Sequence, residues 1–241
     1  MELVPHKKLY LVSGRISRPL AESIAAEMGE SLGEPNIAEF ANGEVHCRFS
    51  ESIRGCDVFI IQTHCHEPGT SINDALMEQL IMVDAARRAS AKRITVVCPH
   101  YGYARQDRKA SGREPITAKL VASLLKEAGA SRLVSVDLHS GQIQGFFEGP
   151  VDHLTAMLVL VDRLRSLEGD LSIVSPDAGR VKVAERSAMQ VGADLASVHK
   201  RPSTFTFHTV EAQECVAELH VQARGLVGSF LPSSAAAHTD G

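Results

Sequence analysis

The strongest chemical signal in the sequence is a basic loop between an apolar strand, RITVVC (93–98), and an amphipathic helix, ITAKLVASLLKEAG (116–129). Within nine positions the loop carries four cationic side chains: Arg105, Arg108, Lys109 and Arg113. Cations at this density in an exposed turn favour phosphate binding, because guanidinium and ammonium groups pair with phosphate oxygens. The alternative is a loop whose charges serve only solubility.

Two other predicted strands end in residues that could do chemistry. One ends in Asp137-Leu138-His139, and the other in Ser175-Pro176-Asp177. Because ligands bind outside the carboxyl ends of strands in open α/β sheets, these residues and the basic loop are expected to converge. Asp177 offers the hard oxygen that Mg²⁺ prefers, while His139 could ligate a metal, bind phosphate or move a proton. Asp177 could instead cap the next helix, and His139 could be a satisfied core group.

Alternating strands and helices must position these residues. Strands are predicted at 8–14, 57–63, 93–98, 132–138, 171–177 and 194–199, and helices at 17–29, 71–90, 116–129, near 154–168 and near 178–192. Residues 37–49 indicate a hairpin, since Asn42-Gly43 can supply the positive φ values of a tight turn. Apolar strands that alternate with helices predict an α/β fold with doubly wound, mainly parallel sheets. Gly145–Pro150 is the predicted seam between two domains.

Composition and charge limit the function classes. The 241 residues have a net charge of −4, which argues against bulk binding of nucleic acid. No signal peptide or spanning apolar run is apparent, so we expect a cytoplasmic protein without membrane contact. The five cysteines lack CxxC spacing and indicate reduced thiols. Cys65 lies between His64 and His66, but no second ligand cluster follows, which favours a structural role over a metal site.

Several motifs in order resemble one family over roughly residues 7–201: FANGE, YARQDRK, REPITAKL, DLHSGQIQGFF, PVDH and SPDAG. The chain resembles the ribose-phosphate pyrophosphokinases (phosphoribosyl diphosphate synthetases). The resemblance implies two domains of the type I phosphoribosyltransferase kind, here expected at 1–148 and 149–241. It also implies transfer of the β,γ-pyrophosphate of ATP to the 1-hydroxyl of ribose 5-phosphate, with Mg²⁺ as cofactor and AMP as second product.

The resemblance also implies roles for individual residues. Those expected at ATP are Phe40, Asn42, Gly43, Glu44, Arg105, Gln106 and Asp107. Phe40, Asn42 and Glu44 would meet the adenine, partly across a subunit boundary. His139 and Asp177 would hold Mg²⁺ with its phosphates, and Lys200 would be the catalytic lysine.

The sequence departs from the family pattern after Lys200. The family has Lys-x-Arg where this chain has Lys200-Arg201-Pro202, so Arg201 is the candidate substitute. The family's ribose 5-phosphate loop begins with two adjacent aspartates, and no Asp-Asp pair occurs in these 241 residues. We therefore expect a divergent tail at 202–241, an incomplete second domain, and impaired turnover.

A second hypothesis from another class is a non-catalytic ATP-binding or regulatory subunit that joins complete synthetase chains. A third hypothesis, a phosphoribosyltransferase, is not favoured, because such an enzyme would need the same missing ribose 5-phosphate loop. The helix 71–90 and the hairpin 37–49 also predict a homo-oligomer, because they carry more apolar surface than one sheet layer should need, including Met77, Leu80, Ile81, Met82 and Val83.

Overall fold

The computed structural model describes residues 8–176, 178–202 and 210–216. Its contacts divide the chain into two compact units, Met1–Ala156 and Met157–Gly241. Both combine helices with strands, and the central sheet of the first unit is parallel, which confirms the predicted α/β class.

A five-stranded parallel sheet forms the centre of the first unit. Its strands are β1 (Leu9–Ser13), β4 (Asp57–Ile61), β5 (Arg93–Cys98), β6 (Arg132–Val136) and β7 (Val151–Leu154). They lie side by side in chain order, β1-β4-β5-β6-β7, and every neighbouring pair is parallel. All five carboxyl ends therefore lie along one edge of the sheet.

The helices of this unit are α1 (Arg18–Met28), α2 (Ile72–Arg88) and α3 (Thr117–Ala128). Helix α2 begins at a reciprocal capping box, in which Ser71 and Asp74 satisfy each other's backbone amides. Ser17 precedes α1 as expected, but its hydroxyl accepts from the Thr63 amide and does not cap the helix. Gly29 ends α1 in the left-handed conformation, which glycine adopts at little cost.

The predicted hairpin is formed by β2 (Pro35–Glu39) and β3 (Val45–Phe49). Its turn differs from the prediction, because Gly43 has a positive φ of 87° and Asn42 does not. The Asn42 side chain instead accepts from the Glu44 amide at 3.2 Å. The connection is thus a longer loop stabilised by an Asn side chain, and not a two-residue turn with two positive φ values.

Apolar residues of the sheet and its helices form the core of the first unit. Val12, Ile60 and Val96 of the sheet are fully buried together with Met82 of α2. Val83 is also fully buried, whereas Met77 is 55% exposed. Of the apolar residues of α2 that suggested an oligomer, Met82 and Val83 therefore belong to the chain's own core.

Strand β7 was not predicted, because it is short and only Val151 and Leu154 of its four residues are apolar. Since β7 pairs with β6, the first unit extends to Ala156, past the boundary expected at residue 148.

The second unit contains α4 (Met157–Arg165), β8 (Ser172–Ser175), α5 (Val181–Val191), β9 (Asp194–Pro202) and β10 (Val210–Val216). Strand β9 lies between β8, which is parallel to it, and β10, which is antiparallel. Among the described residues of the whole chain, no helix has the length and apolar character needed to cross a membrane.

Candidate functional site

The basic loop is attached to the carboxyl edge of the first sheet through buried groups at its start. Tyr101 is buried and donates its hydroxyl to the Ala118 carbonyl at 2.9 Å. The Gly102 amide donates to Nδ1 of His64 at 3.0 Å, and the His64 amide donates to the His100 carbonyl at 3.1 Å. A Cβ at Gly102 would lie 2.9 Å from Cβ of His64, so the backbone approach needs glycine. The first residues of the loop are therefore fixed to the sheet.

His64 is a buried structural residue of this edge. Because Nδ1 accepts from Gly102, its Nε2 carries the proton and donates to Oε1 of Gln79 at 2.8 Å. Burial is the main cause that lowers the pKa of His64 to about 4. Within the described residues no group of three or more His, Cys, Asp or Glu side chains could hold a metal. In the THCH segment, residues 63–66, His64 thus has a structural role at the sheet edge.

The cations of the loop point to solvent. Arg105, Arg108, Lys109 and Arg113 are all exposed, and none pairs with a carboxylate among the described residues. The loop also contains two carboxylates, and one of them, Glu114, accepts from the amides of Ala110 and Ser111 at 2.7 and 2.9 Å. The loop therefore offers a net positive charge on exposed side chains without ion pairs, which favours an anionic ligand.

The two polar residues after Arg105 connect the loop to other elements. Gln106 accepts from the Thr117 hydroxyl with its side chain, and from the Ala118 amide with its carbonyl. It thus satisfies a donor at the start of α3. Asp107 is buried, and its carboxylate accepts from the Ser140 hydroxyl. The hydrogen bond from Ser140, followed by Gln142 and the nearby charge of His139, lowers the pKa of Asp107. Asp107 is therefore an ionised group that ties the basic loop to the turn after β6.

That turn carries His139, which is exposed beside Asp107. Asp137 has a positive φ of 45°, and its carboxylate accepts from the Thr155 hydroxyl at 2.9 Å and the Ala156 amide at 3.1 Å. His153 accepts from the Leu138 amide at 2.9 Å. These hydrogen bonds of Asp137 and His153 were not predicted from the sequence, although His153 belongs to the PVDH motif. The structure thus brings Arg105, Gln106, Asp107 and His139 to one edge.

The hairpin tip is exposed and shaped by its own backbone. The Phe40 amide donates to the Glu44 carbonyl, and the Gly43 amide donates to the Phe40 carbonyl, both at 2.8 Å. The Phe40 ring is 56% exposed and meets the His46 ring edge to face, with the centroids 5.9 Å apart. Asn42 and Glu44 are exposed as well. The tip therefore presents an aromatic face and polar groups, which suit a heterocyclic base.

Of the two residues expected to hold Mg²⁺, the structure describes one. His139 is described and exposed, whereas Asp177 and the side chains of Lys200 and Arg201 lie outside the described residues. Mg²⁺ keeps several waters and binds through one or two protein groups plus substrate phosphates. An exposed His139 beside a cationic loop fits that mode, because bound phosphates would supply most of the oxygen ligands.

Fold and site together define an α/β protein with an exposed cationic loop at the carboxyl edge of a parallel sheet. Comparison with known proteins makes this class specific. Residues 9–129, half of the 241-residue chain, match the family described as the N-terminal domain of ribose phosphate pyrophosphokinase. The chain belongs to the ribose-phosphate pyrophosphokinase family.

Relatives and a solved structure agree with this membership. The chain is 55% identical over 205 residues to a ribose-phosphate pyrophosphokinase of Bifidobacterium longum, covering 83% of this chain and 59% of the relative. It is 52% identical over 218 residues to the ribose-phosphate pyrophosphokinase of Corynebacterium efficiens, covering 89% of this chain and 66% of the relative. The crystal structure of phosphoribosylpyrophosphate synthetase from Mycobacterium smegmatis matches with a TM-score of 0.76 at 52% identity. The match covers 82% of this chain and 66% of the crystallised chain. The chain thus spans about three fifths to two thirds of their length.

Proposed function

We propose that the first unit binds the triphosphate of ATP at the basic loop, as the nucleotide side of pyrophosphoryl transfer to ribose 5-phosphate. The observation that carries the proposal is the set of four exposed cations, which lack carboxylate partners among the described residues and lie on a loop fixed to the sheet edge. The relatives' names, ribose-phosphate pyrophosphokinase, support this choice of ligand and reaction.

Arg105 and His139 are the proposed phosphate contacts, because Asp107 and Ser140 hold their two segments together. Gln106 uses its side-chain oxygen on Thr117, so its amide NH₂ is the group proposed to meet the nucleotide. Glu44 and Asn42 are proposed to read the adenine amino group, and Phe40 to stack on the ring.

The reaction makes limited demands on the protein. An oxygen of the ribose 1-hydroxyl forms a bond to the β-phosphorus, the bond from that phosphorus to the α,β-bridging oxygen breaks, the hydroxyl proton leaves, and AMP departs. Catalysis of such a transfer rests on positioning and charge stabilisation. Arg105 and Lys200 are proposed to supply that charge. Mg²⁺, proposed at His139 and Asp177, would neutralise phosphate charge when bound.

We assign no residue to ribose 5-phosphate beyond Arg201 as a candidate, since no Asp-Asp pair occurs in the sequence. The comparisons do not favour the alternative of a purely regulatory subunit, because the matching relatives are named as the enzyme itself. A homo-oligomer remains part of the proposal, with the exposed Met77 and the partly exposed Ile81 as its support from α2.

Titration calorimetry with ATP and Mg²⁺ tests the proposal. We expect wild-type binding, and a loss of roughly tenfold or more in affinity for Arg105→Gln, since a hydrogen bond to a charged group contributes about 1.5–3 kcal/mol. Arg88→Gln is the matched control, because Arg88 is an exposed arginine of α2 that already pairs with Asp84 at 2.6 Å. Equal effects of the two substitutions would contradict the assignment of the loop.

A further inference from the structure

Arg15 lies directly beyond Gly14 at the carboxyl end of β1 and joins two carboxylates from different elements. Its amide and its Nε donate to the two oxygens of Glu78 in α2, at 2.7 and 2.5 Å. Its Nη1 lies 3.2 Å from Oε2 of Glu39, the last residue of β2. Arg15 therefore connects the sheet edge, helix α2 and the hairpin through one side chain.

The Glu78 end of this connection is rigid. Glu78 is only 2% exposed, and it also accepts from Nε2 of Gln62 at 3.0 Å. A buried carboxylate is costly unless hydrogen bonds satisfy it, so its donors are held in place. A Cβ at Gly14 would lie 2.5 Å from the Gln62 side chain, which explains the glycine before Arg15. The guanidinium is thus fixed by the buried network, and Glu39 is the partner that it positions.

Glu39 lies at the boundary between the base of the hairpin, which packs against the core, and its exposed tip. Side chains alternate along a strand, so Glu39 shares a face with Ile37, which packs against the core. Cys47 and Phe49 of β3 also pack there and anchor the base of the hairpin. Beyond Glu39, hydrogen bonds of the tip itself and the contact of Phe40 with His46 hold residues 40–44. Glu39 is therefore the ion-paired side chain nearest the tip.

We propose that Arg15 and Glu39 are positioning residues for adenine recognition, which set the angle at which the hairpin tip leaves the core. This inference rests on the proposed binding of ATP, since the tip carries the residues assigned to adenine. Neither residue is among those assigned to the phosphates or to the base. Its loss should weaken base recognition and leave phosphate binding at the basic loop unchanged.

The hairpin provides a matched control at its other end. Glu34, next to Pro35 at the start of β2, pairs with Arg18 through two contacts of 2.5 and 2.8 Å. Both pairs join an arginine near the start of α1 to a glutamate flanking or ending β2, and both glutamates are exposed. Substitutions at Glu34 therefore break a pair of the same chemistry, and one with shorter contacts, away from the tip.

The experiment measures the affinities of ATP, GTP and inorganic tripolyphosphate, each with Mg²⁺, for Glu39→Gln, Glu39→Lys and the same changes at Glu34. We expect Glu39→Gln to weaken ATP about threefold, within the range of an exposed ion pair. Glu39→Lys should weaken it about tenfold, because the lysine repels Arg15. Tripolyphosphate affinity should change less than about twofold. The ratio of ATP affinity to GTP affinity should fall from its wild-type value.

Two results would overturn the inference: Glu39→Lys binding ATP like the Glu34 variants, or an equal loss of ATP and tripolyphosphate. Amide hydrogen exchange at Gly43 and Glu44 without nucleotide gives a separate measurement. It should be faster in Glu39→Lys than in Glu34→Lys. If the wild type binds no ATP, the proposed function fails, and this exchange comparison still decides whether Arg15 and Glu39 hold the tip.

Discussion

Acidification should destabilise the first unit through His64, and the structure gives the size of the effect. The buried ring is neutral, with Nδ1 accepting from Gly102 and Nε2 donating to Gln79. A proton added to Nδ1 would face the Gly102 amide, another donor, and would place a charge in the core. For these reasons the folded state disfavours protonation, and burial lowers the pKa from 6.5 to about 4.

The sign follows from proton linkage. Between the unfolded value of 6.5 and the folded value of about 4, the unfolded chain binds more protons, so stability falls as the pH falls. At about 1.4 kcal/mol per pH unit, the full loss across this window is about 3 kcal/mol. About 1 kcal/mol of it should already be lost at pH 5.5, well above the range in which carboxylates titrate.

Urea unfolding between pH 7.5 and 4.5 measures this loss, and hydrogen exchange at buried Val96 assigns it to the first unit. His64→Asn keeps an acceptor for Gly102 but does not titrate. It should be less stable at neutral pH, yet show a shallower decline with acid. His66→Gln is the control, because His66 is exposed and its loss should leave the wild-type slope. Equal slopes for wild type and His64→Asn would refute the reasoning.

Three other predictions concern the site. Glu44→Ala should weaken ATP binding by about 1–3 kcal/mol without changing the melting temperature, since Glu44 is exposed. Calorimetry and thermal unfolding measure the two effects. A fall in the melting temperature alone would show that Glu44 stabilises the hairpin and does not bind ATP. Asp107→Ala and Ser140→Ala should weaken ATP binding by similar amounts, and together by less than the sum, because each removes one partner of the same hydrogen bond; additive losses in calorimetry would contradict this. The 241-residue chain should release little AMP from ATP in the presence of ribose 5-phosphate, because these residues include no Asp-Asp pair to position the sugar. Loss of substrate positioning costs roughly 7 kcal/mol or more in the barrier. Turnover like that of a complete relative, abolished by Lys200→Ala, would contradict this.

Long apolar patterns made much of the fold predictable. RITVVC is β5 without a change of bounds, and the helix predicted at 116–129 is α3, Thr117–Ala128. Strand β7 escaped prediction because an edge strand of four residues with two polar positions has no clear period. The prediction of a two-residue turn with two positive φ values was wrong, because only Gly43 has a positive φ. Asn42 contributes through its side chain, which accepts from the Glu44 amide.

The candidate site was predictable by residue type but not by contact. Asp107 and His139 could be placed at one edge, since both follow strands of a parallel sheet. That Asp107 accepts from Ser140, and that Gln106 is engaged at the start of α3, depends on how two distant loops fold together. The link from Arg15 to Glu39 joins residues 24 positions apart, and neither residue belongs to a recognisable motif.

A crystal structure of the chain with Mg²⁺ and a non-hydrolysable ATP analogue would test the central claim most directly. The account predicts phosphate density at Arg105 and at the turn that carries His139, with the backbone of Gly102 unchanged. Density for the nucleotide away from the carboxyl edge would contradict it. The cavity of about 310 Å³ beside β3 and α2, lined by Cys47, Arg54 and Ala85 among others, is one such place.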